Sequence, residues 1–563
     1  MTHKLKNIII SIGLLLMTQT SALNAQTAFP PLIPLPQELT VADNDAPFVA
    51  TLPAQILTDT QAQPAADLFS EWVKSNIALG DTSNKTTGTI VLSVKKTAED
   101  ANPEAYTLTV DKDNICLSAE TTSGALMGIQ TLRQLMTTTE TTITVPACDI
   151  KDAPSKQWRG LMLDCARHYM PLDKIFTLLD AMSFMKLNYF HWHLTDCPAW
   201  RIESETYPEL TEKAAYRGPK SERYGGYYTK QQAREVVAYA AKRGINVIPE
   251  FEMPGHSDAA IIAFPELSCK GTPKAIPDEN AAPLEWQSLK WFYPTNEIRP
   301  LCAGNEKVFE FIGNIFDEYL DVFPFEVWHC GGDERTADIW NNCPKCKARM
   351  KELGISEGDE HGLQQWFMKR VSDMLAARGK RPISWAVSRS DSMNPTDMDE
   401  LGNGAFVINW HDGAAFAARD GRKVINAESN KLYLDYLPWR NYMGPKRADW
   451  FPIVDTASIY AFKSVPDGLT PQQQKNIIGV EGCLWTEFIT DAELFEWLYP
   501  RTLALGETAW RDDQARNDLD GFLKRVDAIE PKVNAMGINY GKPITDAAVK
   551  ARAEKAKKNP PQY

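Results

Sequence analysis

From Trp158 onward the sequence alternates short apolar runs with longer stretches whose apolar residues recur at helical spacing. This alternation predicts parallel β-strands covered by helices, and eight units over roughly 350 residues predict a closed α/β barrel of the (β/α)8 TIM type. The active site of such a barrel lies where its strands end. The predicted strands are 160–166, 189–195, 246–253, 325–330, 382–387, 406–410, 423–427 and 479–485.

Polar and aromatic residues collect at the carboxyl ends of these runs. Because the parallel strands of a barrel end on one rim, these side chains are expected to line one pocket, and carboxylates, imidazoles and indole faces together suit a polyhydroxylated ring. The chain has 16 Trp to supply such faces. In chain order, the residues are Asp164, Arg167 and His168; His191, His193 and Asp196; Glu250, Glu252 and His256; His329, Asp333 and Glu334; Trp385; Trp410; Tyr433 and Asp435; and Trp485 and Glu487.

The motif Gly331-Gly332-Asp333-Glu334 is the most specific of these strand ends. Two glycines allow a tight turn directly after the strand. Two adjacent carboxylates beside His329 are costly unless their proton affinities differ, which is the arrangement that an acid and a base require. The motif therefore predicts catalytic carboxylates.

The residues before the barrel predict a small α+β domain with an antiparallel sheet over 26–152. Alternating segments at 89–94, 106–110 and 115–118 indicate strands, and a helical pattern covers 122–136. We place the catalytic barrel at 153–512 and a helical segment with a charged tail at 513–563.

The first 25 residues have the layout of a secretory signal peptide: two lysines, an apolar run from Ile8 to Met17 and small residues up to Ala25. We therefore expect export to the periplasm or the medium. Removal of this segment deletes two Lys and no acids, so the mature charge is 58 − 73 = −15. This charge argues against nucleic acid as a partner, and no later apolar run is long enough for a stable membrane span.

The strand-end motifs resemble those of glycoside hydrolase family 20, the β-N-acetylhexosaminidases. The front domain is also similar to the family's non-catalytic domain, through Gly124, Gly128 and the segment 130–135. The resemblance covers nearly the whole chain after the leader. The matching barrel segments are 159–169, 190–196, 249–256, 329–334 and 484–487.

The resemblance implies an exo-acting enzyme that removes terminal N-acetylhexosamine residues from glycans with retention of configuration. In this substrate-assisted mechanism the acetamido oxygen of the sugar attacks its own anomeric carbon, which gives an oxazoline-like intermediate. Glu334 would be the general acid and then the base that activates water. Asp333 would accept the acetamido N–H and stabilise the positive charge that develops.

The resemblance also implies roles for the residues around the sugar. Trp385, Trp410 and Trp485 would enclose the acetamido methyl group, Tyr433 would donate to the acetamido oxygen, and Trp450 is a looser match for a further wall. Arg167 and Glu487 would hold ring hydroxyls, and Asp435 would lie near the hydroxymethyl group. Asp196 and His256 would form a polar relay beside Glu334.

Two positions depart from the family pattern, and the cysteines add a further expectation. Cys197 stands where many relatives have Asp, and Glu252 stands where Asp is common. Cys269 and Cys302 resemble a disulfide pair seen in relatives, as export would favour. No second ligand pair follows Cys343-Pro-Lys-Cys346 at comparable spacing, so a local disulfide or two packed thiols is favoured there over zinc. We expect no metal and no cofactor.

Two other classes of function remain open at this point. His191-Trp192-His193 at a strand end mimics the ligand pair of a metal-dependent amidohydrolase, although buried, hydrogen-bonded histidines are the favoured interpretation. A non-catalytic glycan-binding protein would keep the indoles but be free to lose the acid, and the presence of both Asp333 and Glu334 argues against it. The residues also leave open the natural glycan, the preference between gluco and galacto sugars, release of one sugar or two, and the oligomeric state.

Overall fold

The structure, a computed structural model of the chain, describes residues 30–41, 45–52, 54–73, 78–80, 88–217, 224–270, 299–386, 401–438 and 452–538. The expected leader, Trp450 and the tail beyond 538 lie outside the described residues. Among the described residues, no helix is both long and apolar enough to cross a membrane.

The front region contains two sheets and two helices. Its strands are β1 (Glu38–Val41), β2 (Phe48–Thr51), β3 (Gln55–Thr58), β4 (Ala78–Gly80), β5 (Thr89–Val94), β6 (Tyr106–Val110), β7 (Asn114–Ala119), β8 (Thr137–Thr138), β9 (Thr142–Val145) and β10 (Cys148–Asp152), and its helices are α1 (Gln63–Val73) and α2 (Thr122–Leu135). The larger sheet has the order β1-β10-β6-β7-β5-β3-β4, and β2-β9-β8 form the smaller one.

The predicted antiparallel pairing is confirmed for β6 and β7, which are joined by a tight turn closed by a hydrogen bond from the N–H of Asp111 to the carbonyl of Asn114. The sheet is nevertheless mixed, since β5 pairs with β7 in parallel. Strand β7 lies between β6 and β5 in the sheet. Because β6 runs antiparallel to β7 and precedes it in the chain, the return from β6 gives β7 the same direction as β5. Helix α2 packs against this sheet and buries Leu126, Ile129 and Leu132.

Eight parallel strands form the closed barrel, as predicted. They are β11 (Trp158–Asp164), β12 (Tyr189–His193), β15 (Asn246–Glu250), β16 (Val327–His329), β17 (Arg381–Ala386), β18 (Phe406–Asn409), β19 (Lys423–Asn426) and β20 (Ile477–Leu484), and the short hairpin of β13 (Tyr216–Arg217) and β14 (Tyr224–Gly225) lies outside it. Strand β20 closes the barrel against β11. Every residue of β11 and β12 is buried, because helices cover the outside and side chains fill the inside.

Helices follow the barrel strands in the order that a (β/α)8 fold requires. They are α3 (Leu172–Phe184), α4 (Glu209–Ala214), α5 (Lys230–Ala241), α6 (Asp258–Ala263), α7 (Glu306–Tyr319), α8 (Pro344–Leu353), α9 (Glu360–Ala376), α10 (Ala414–Arg419), α11 (Ser429–Leu432), α12 (Thr456–Tyr460), α13 (Pro471–Gln474), α14 (Leu494–Leu498), α15 (Arg501–Trp510) and α16 (Leu519–Asn534), with 3-10 turns at Pro265–Leu267 and Asp513–Ala515. The predicted C-terminal segment is described as far as residue 538, and its helix is α16.

The front domain and the barrel share a buried polar interface. Lys186 donates to Asp152 at 2.8 Å, and Trp510 donates to the other oxygen of that carboxylate at 2.8 Å. Trp510 also belongs to the apolar core of the front domain. A carboxylate whose two oxygens are both occupied by barrel residues fixes the front domain on the barrel.

Candidate active site

Strand register brings one polar layer together across the barrel. Asp164 on β11 lies beside His193 on β12, His193 lies beside Glu250 on β15, and Glu250 lies beside His329 on β16. Each of these residues is the last of its strand. The layer therefore lies at the carboxyl end of the barrel, directly beneath the loops that carry the remaining candidate residues.

Glu250 is the centre of this layer. It is fully buried and accepts hydrogen bonds from His193 and, at 2.6 Å, from the indole of Trp385. Its carboxylate also lies 3.1 Å from His191 and 2.7 Å from His329. Burial alone would raise the pKa of Glu250, but the histidines hold it well below its usual range. Burial would likewise lower the pKa of His193, yet Glu250 and Asp196 raise it to about 10.

Asp196 links this layer to the loops above it. Its carboxylate lies 2.9 Å from His193 and 2.8 Å from the guanidinium of Arg167, and its second oxygen lies 3.0 Å from Nδ1 of His256. Burial opposes ionisation, but Arg167 and His256 hold the pKa of Asp196 well below its usual range. The carboxylate therefore orients both of these neighbours.

His256 continues the predicted relay to Glu334. Its Nε2 lies 3.3 Å from Oε2 of Glu334 and 3.8 Å from Asp333. Burial alone would lower the pKa of His256, but Asp196 and Asp333 raise it well above its usual value. A charged imidazole donates from both nitrogens, so the ring can hold Asp196 and Glu334 at the same time.

The loop after β16 is shaped by residues in left-handed conformations. Gly331 has φ 64° and Gly332 has φ 107°, and a Cβ on Gly331 would lie 2.1 Å from Oε2 of Glu252. Glu334 itself has φ 21°, which is rare for a non-glycine residue and common at functional sites. This turn directs two consecutive carboxylates to different surroundings.

The two carboxylates differ in exposure. The side chain of Glu334 is 44% exposed, whereas that of Asp333 is 12% exposed. Burial, opposed by His256 and assisted by the charge of Glu334, raises the pKa of Asp333 to about 6. Within the described part of the chain, Oδ1 of Asp333 is buried and has no hydrogen-bond partner. Such an oxygen is costly unless a ligand supplies a donor.

Aromatic side chains enclose the space in front of Asp333. The rings of Trp385 and Trp485 lie 5.6 Å apart and Tyr433 lies 6.1 Å from Trp485. Trp385 is held by its bond to Glu250, while the indole N–H of Trp410 has no partner among the described residues. These walls form an apolar pocket with an unpaired acceptor at its base.

The structure brings most of the predicted site residues into one cavity. Asp196 lies beneath it as the relay, Asp435 is buried but does not line it, and Trp450 lies outside the described residues. The lining residues are Arg167, His256, Asp333, Glu334, Trp385, Trp410, Tyr433, Trp485 and Glu487.

Comparison with known families agrees with this arrangement. Residues 157–513 match the model of the glycosyl hydrolase family 20 catalytic domain, and residues 29–153 match the model of domain 2 of that family. The chain belongs to glycosyl hydrolase family 20.

Relatives of this family 20 chain include hexosaminidases of bacteria and mammals. It is 33% identical over 530 residues to a β-hexosaminidase of Porphyromonas gingivalis, a match that covers 92% of this chain and 65% of that protein. It is 32% identical over 426 residues to the bovine β-hexosaminidase subunit alpha, which covers 75% of this chain and 73% of the relative. The chain thus spans about two thirds of the length of the first relative.

Solved family 20 structures have the same fold. An exo-β-N-acetylglucosaminidase of Vibrio harveyi in complex with N-acetylglucosamine has a TM-score of 0.78 at 29% identity, with 91% of this chain and 78% of that chain covered. The β-N-acetylhexosaminidase of Bacteroides fragilis has a TM-score of 0.74 at 27% identity, with 91% and 97% covered.

The histidines that suggested an amidohydrolase metal pair belong to the buried layer of this family 20 barrel. Nδ1 of His191 lies 2.8 Å from Glu481 and its Nε2 lies 3.1 Å from Glu250, while His193 lies between Glu250 and Asp196. The side chains of both histidines are fully buried, as the sequence favoured. Their contacts are the carboxylates of a charge network.

Sequence reasoning missed the importance of Glu250 and Glu481. In the sequence Glu250 is one residue of a strand-end motif, and Glu481 lies inside a strand that is otherwise apolar. The signal in the sequence is an acidic residue in an otherwise apolar run, because a strand that is expected to be buried can hold a charge only beside a partner. Glu252, which replaces the common Asp, is also buried; burial and the charges of Asp333 and Glu250 raise its pKa well above the usual value.

The predicted Cys269–Cys302 disulfide is not present in the structure. Both residues are free thiols, and Cys346 lies 3.6 Å from each of them. The physical reason is that the loops bring Cys343 and Cys346 to the same point, so neither sulfur has a single exclusive neighbour.

Proposed function

We propose that this chain is an exo-acting β-N-acetylhexosaminidase that hydrolyses terminal non-reducing N-acetylglucosamine or N-acetylgalactosamine residues of glycans. The observation that carries the proposal is the unpaired, buried oxygen of Asp333 beside the half-exposed Glu334. One carboxylate faces an enclosed aromatic pocket and the other faces solvent, where a leaving group would depart. This asymmetry fits a substrate-assisted reaction better than a pair of equivalent acids.

In the first step Glu334 protonates the glycosidic oxygen while the acetamido oxygen attacks the anomeric carbon. The bond to the leaving group breaks, and the positive charge is shared with the acetamido group. Asp333 accepts the acetamido N–H, which orients the nucleophile and stabilises this charge at a short distance. In the second step Glu334 removes a proton from water, which opens the oxazolinium ring with overall retention.

Glu334 is positioned for both steps by His256, which Asp196 orients in turn. The carboxylate oxygens of Asp333 and Glu334 and a ring nitrogen of His256 all lie within 4.8 Å of one another. Carboxyls this close argue against an inverting reaction, in which a water must fit between the two groups.

The pocket walls provide selectivity for the acetamido group. Trp385, Trp410 and Trp485 would contact its methyl group, and Tyr433 would donate to its oxygen before attack. Arg167 and Glu487 also line the cavity, where they would bind ring hydroxyls. For Asp435, which does not line the cavity, the role near the hydroxymethyl group rests on the family resemblance alone.

The direct test is turnover of a matched panel of aryl β-glycosides. We expect cleavage of the N-acetylglucosaminide or N-acetylgalactosaminide, retention in the first-formed product, and strong inhibition by an N-acetylglucosamine-thiazoline. The corresponding glucoside, which lacks the acetamido group, is the control. Comparable kcat/KM values for the glucoside and the N-acetylglucosaminide would refute the substrate-assisted mechanism, and no turnover at all would favour a glycan-binding role.

We further propose that the chain is exported, on the grounds of its N-terminal segment. Mass spectrometry of the protein from the envelope or the medium is expected to find a mature chain that starts at Gln26. Recovery of intact Met1–Ala25 on a cytoplasmic protein would contradict this proposal.

A further inference from the structure

Four cysteine sulfurs meet beside the active-site loops. Cys269, Cys302, Cys343 and Cys346 all have their sulfur atoms within 4.8 Å of one another. Three of these residues are buried and Cys269 is half-buried. Every other cysteine of the chain lies outside this group, so the cluster is a specific feature of the loops after β15 and β16.

Two different backbone elements supply the sulfurs. Ser268 and Leu301 form an antiparallel bridge, and the N–H of Cys302 donates to the carbonyl of Leu267 at 2.8 Å. This pairing places Cys269 and Cys302 side by side. Cys343 is the N-cap of α8, and Pro344 opens the helix, so Cys346 returns to the same side one turn later.

The sulfur separations are those of tetrahedral metal coordination. Cys302 lies 3.8 Å from Cys343 and 3.6 Å from Cys346, and Cys269 lies 3.6 Å from Cys346. Four sulfurs placed about 2.3 Å from a tetrahedral zinc ion are separated by about 3.8 Å. A disulfide instead holds its sulfurs at about 2.0 Å, and packing of thiols does not require four sulfurs to surround a common point.

The surrounding backbone is fitted to this cluster. A Cβ on Gly304 would lie 2.2 Å from the carbonyl of Lys345 and 2.6 Å from the nitrogen of Cys346, so only glycine allows the two turns to approach. The N–H of Gly304 also donates to the sulfur of Cys302. Backbone N–H groups and the N-terminus of α8 both favour negative charge on sulfur.

We propose that Cys269, Cys302, Cys343 and Cys346 bind a structural zinc ion. The second ligand pair that sequence spacing did not reveal precedes Cys343-Pro-Lys-Cys346 and is brought to it by the fold. The ion would join the loop that follows His256 to the loop that follows Glu334. Those loops already touch, since a Cβ on Gly255 would lie 2.8 Å from the carbonyl of Asp333.

Four sulfur ligands suit a thiophilic ion such as zinc and do not suit the hard divalent cations. Four thiolates exclude Mg²⁺ and Ca²⁺, which require oxygen ligands. A closed site with four protein ligands leaves no open position, which indicates a structural rather than a catalytic ion. The site is separate from the buried His191–Glu250–His329 layer, whose members contact one another.

The test measures metal directly and does not depend on activity. The full chain is expressed in zinc-supplemented medium and purified without chelators. We expect about one zinc ion per chain by elemental mass spectrometry and four sulfur neighbours at about 2.3 Å by X-ray absorption. The zinc bound per chain is expected to fall at least tenfold in Cys302→Ser and in Cys346→Ser. The control variant Cys116→Ser, whose residue lies outside the cluster, is expected to retain its zinc.

Two outcomes would overturn the proposal on the wild-type chain alone, whatever the variants do. One is a metal-free protein whose non-reducing peptide map links any two of the four cysteines. The other is a protein whose four thiols stay unmodified and bind no zinc through sulfur, whether zinc is absent or has nitrogen or oxygen neighbours. If the enzyme is active and shows either result, the zinc proposal is refuted and the proposed glycosidase function is not.

Discussion

Two layers of charged residues lie one above the other at the carboxyl end of the barrel, and they differ in how their polar atoms are satisfied. In the lower layer Glu250 contacts three histidines and an indole, so its burial is compensated. In the upper layer Asp333 is also buried, but one oxygen has no partner within the described part of the chain.

This difference distinguishes the residues that stabilise the fold from the residues that take part in the reaction. A buried charge with a full set of partners stabilises the fold and loses that stabilisation when one partner is removed. A buried charge without a partner is destabilising until substrate arrives, so its removal costs activity rather than stability. Variants in the two layers should therefore have opposite signatures.

The largest effect is expected for Glu334→Gln, because this variant cannot protonate a leaving group. For substrates with poor leaving groups we expect kcat to fall by about 10⁴-fold, near the upper limit for general acid catalysis. For an activated aryl leaving group the first step needs no acid, so the loss should be much smaller. Equal losses for both substrates, measured by steady-state kinetics, would show that Glu334 is not the acid.

Glu250→Gln tests the lower layer. It removes one of the two carboxylates that His191 and His193 each contact. We therefore expect the free energy of unfolding to fall by about 3–5 kcal/mol in denaturant titrations. Glu252→Gln is the matched control two residues away. Burial and the charges of Asp333 and Glu250 raise the pKa of Glu252 and so favour its neutral form, which glutamine resembles, and the change should cost little. Similar losses in both variants would contradict the distinction between the layers.

Asp333→Asn is expected to have the opposite signature. The variant keeps the shape but loses the charge that stabilises the developing cation, so kcat/KM should fall by about 10²–10³-fold for all substrates. Because the folded pKa of about 6 lies above the unfolded value, ionisation of Asp333 destabilises the fold as pH rises through 6. At pH 8 the free energy of unfolding of the variant should therefore be roughly 1–3 kcal/mol higher than that of wild type. A lower free energy of unfolding would instead group Asp333 with the lower layer.

The pH profile follows from the same group. Asp333 must be ionised to accept the acetamido N–H, and burial raises its pKa to about 6. As pH falls below 6, kcat/KM should drop about tenfold per pH unit. An acidic limb that stays flat down to pH 4 in the wild-type profile would exclude this assignment.

The smallest effect is expected for Trp410→Phe. The half-buried indole contributes stacking area, while its N–H has no partner among the described residues. We expect KM to rise about fivefold, equivalent to roughly 1 kcal/mol, with kcat little changed. Trp366→Phe, which lies on the outer helix α9, should leave both constants unchanged.

The barrel could be predicted from the sequence because its strands are buried on both faces and therefore read as continuous apolar runs. All eight runs are strands in the structure, with ends that differ by a few residues. The pairing direction of Thr89–Val94 could not be predicted in the same way, since an alternating strand looks alike beside a parallel or an antiparallel neighbour.

The candidate pocket was also largely predictable, because parallel strands bring their carboxyl ends together whatever the loops do. The environment of each carboxylate was not. Glu250 and Glu252 are two residues apart and both buried, yet histidines hold the pKa of one low while Asp333 and Glu250 raise the pKa of the other. These opposite shifts depend on neighbours from other strands.

The sequence alone determined the fold class, the location of the site at the strand ends and the pair Asp333 and Glu334, because periodicity and motif order are local properties of the chain. Only the tertiary structure decided that Glu250 is a compensated hub, that Asp333 keeps an unpaired oxygen and that Cys269 and Cys302 meet Cys343 and Cys346. Those properties arise from distances between residues that are far apart along the chain, and electrostatic compensation and metal geometry depend on such distances.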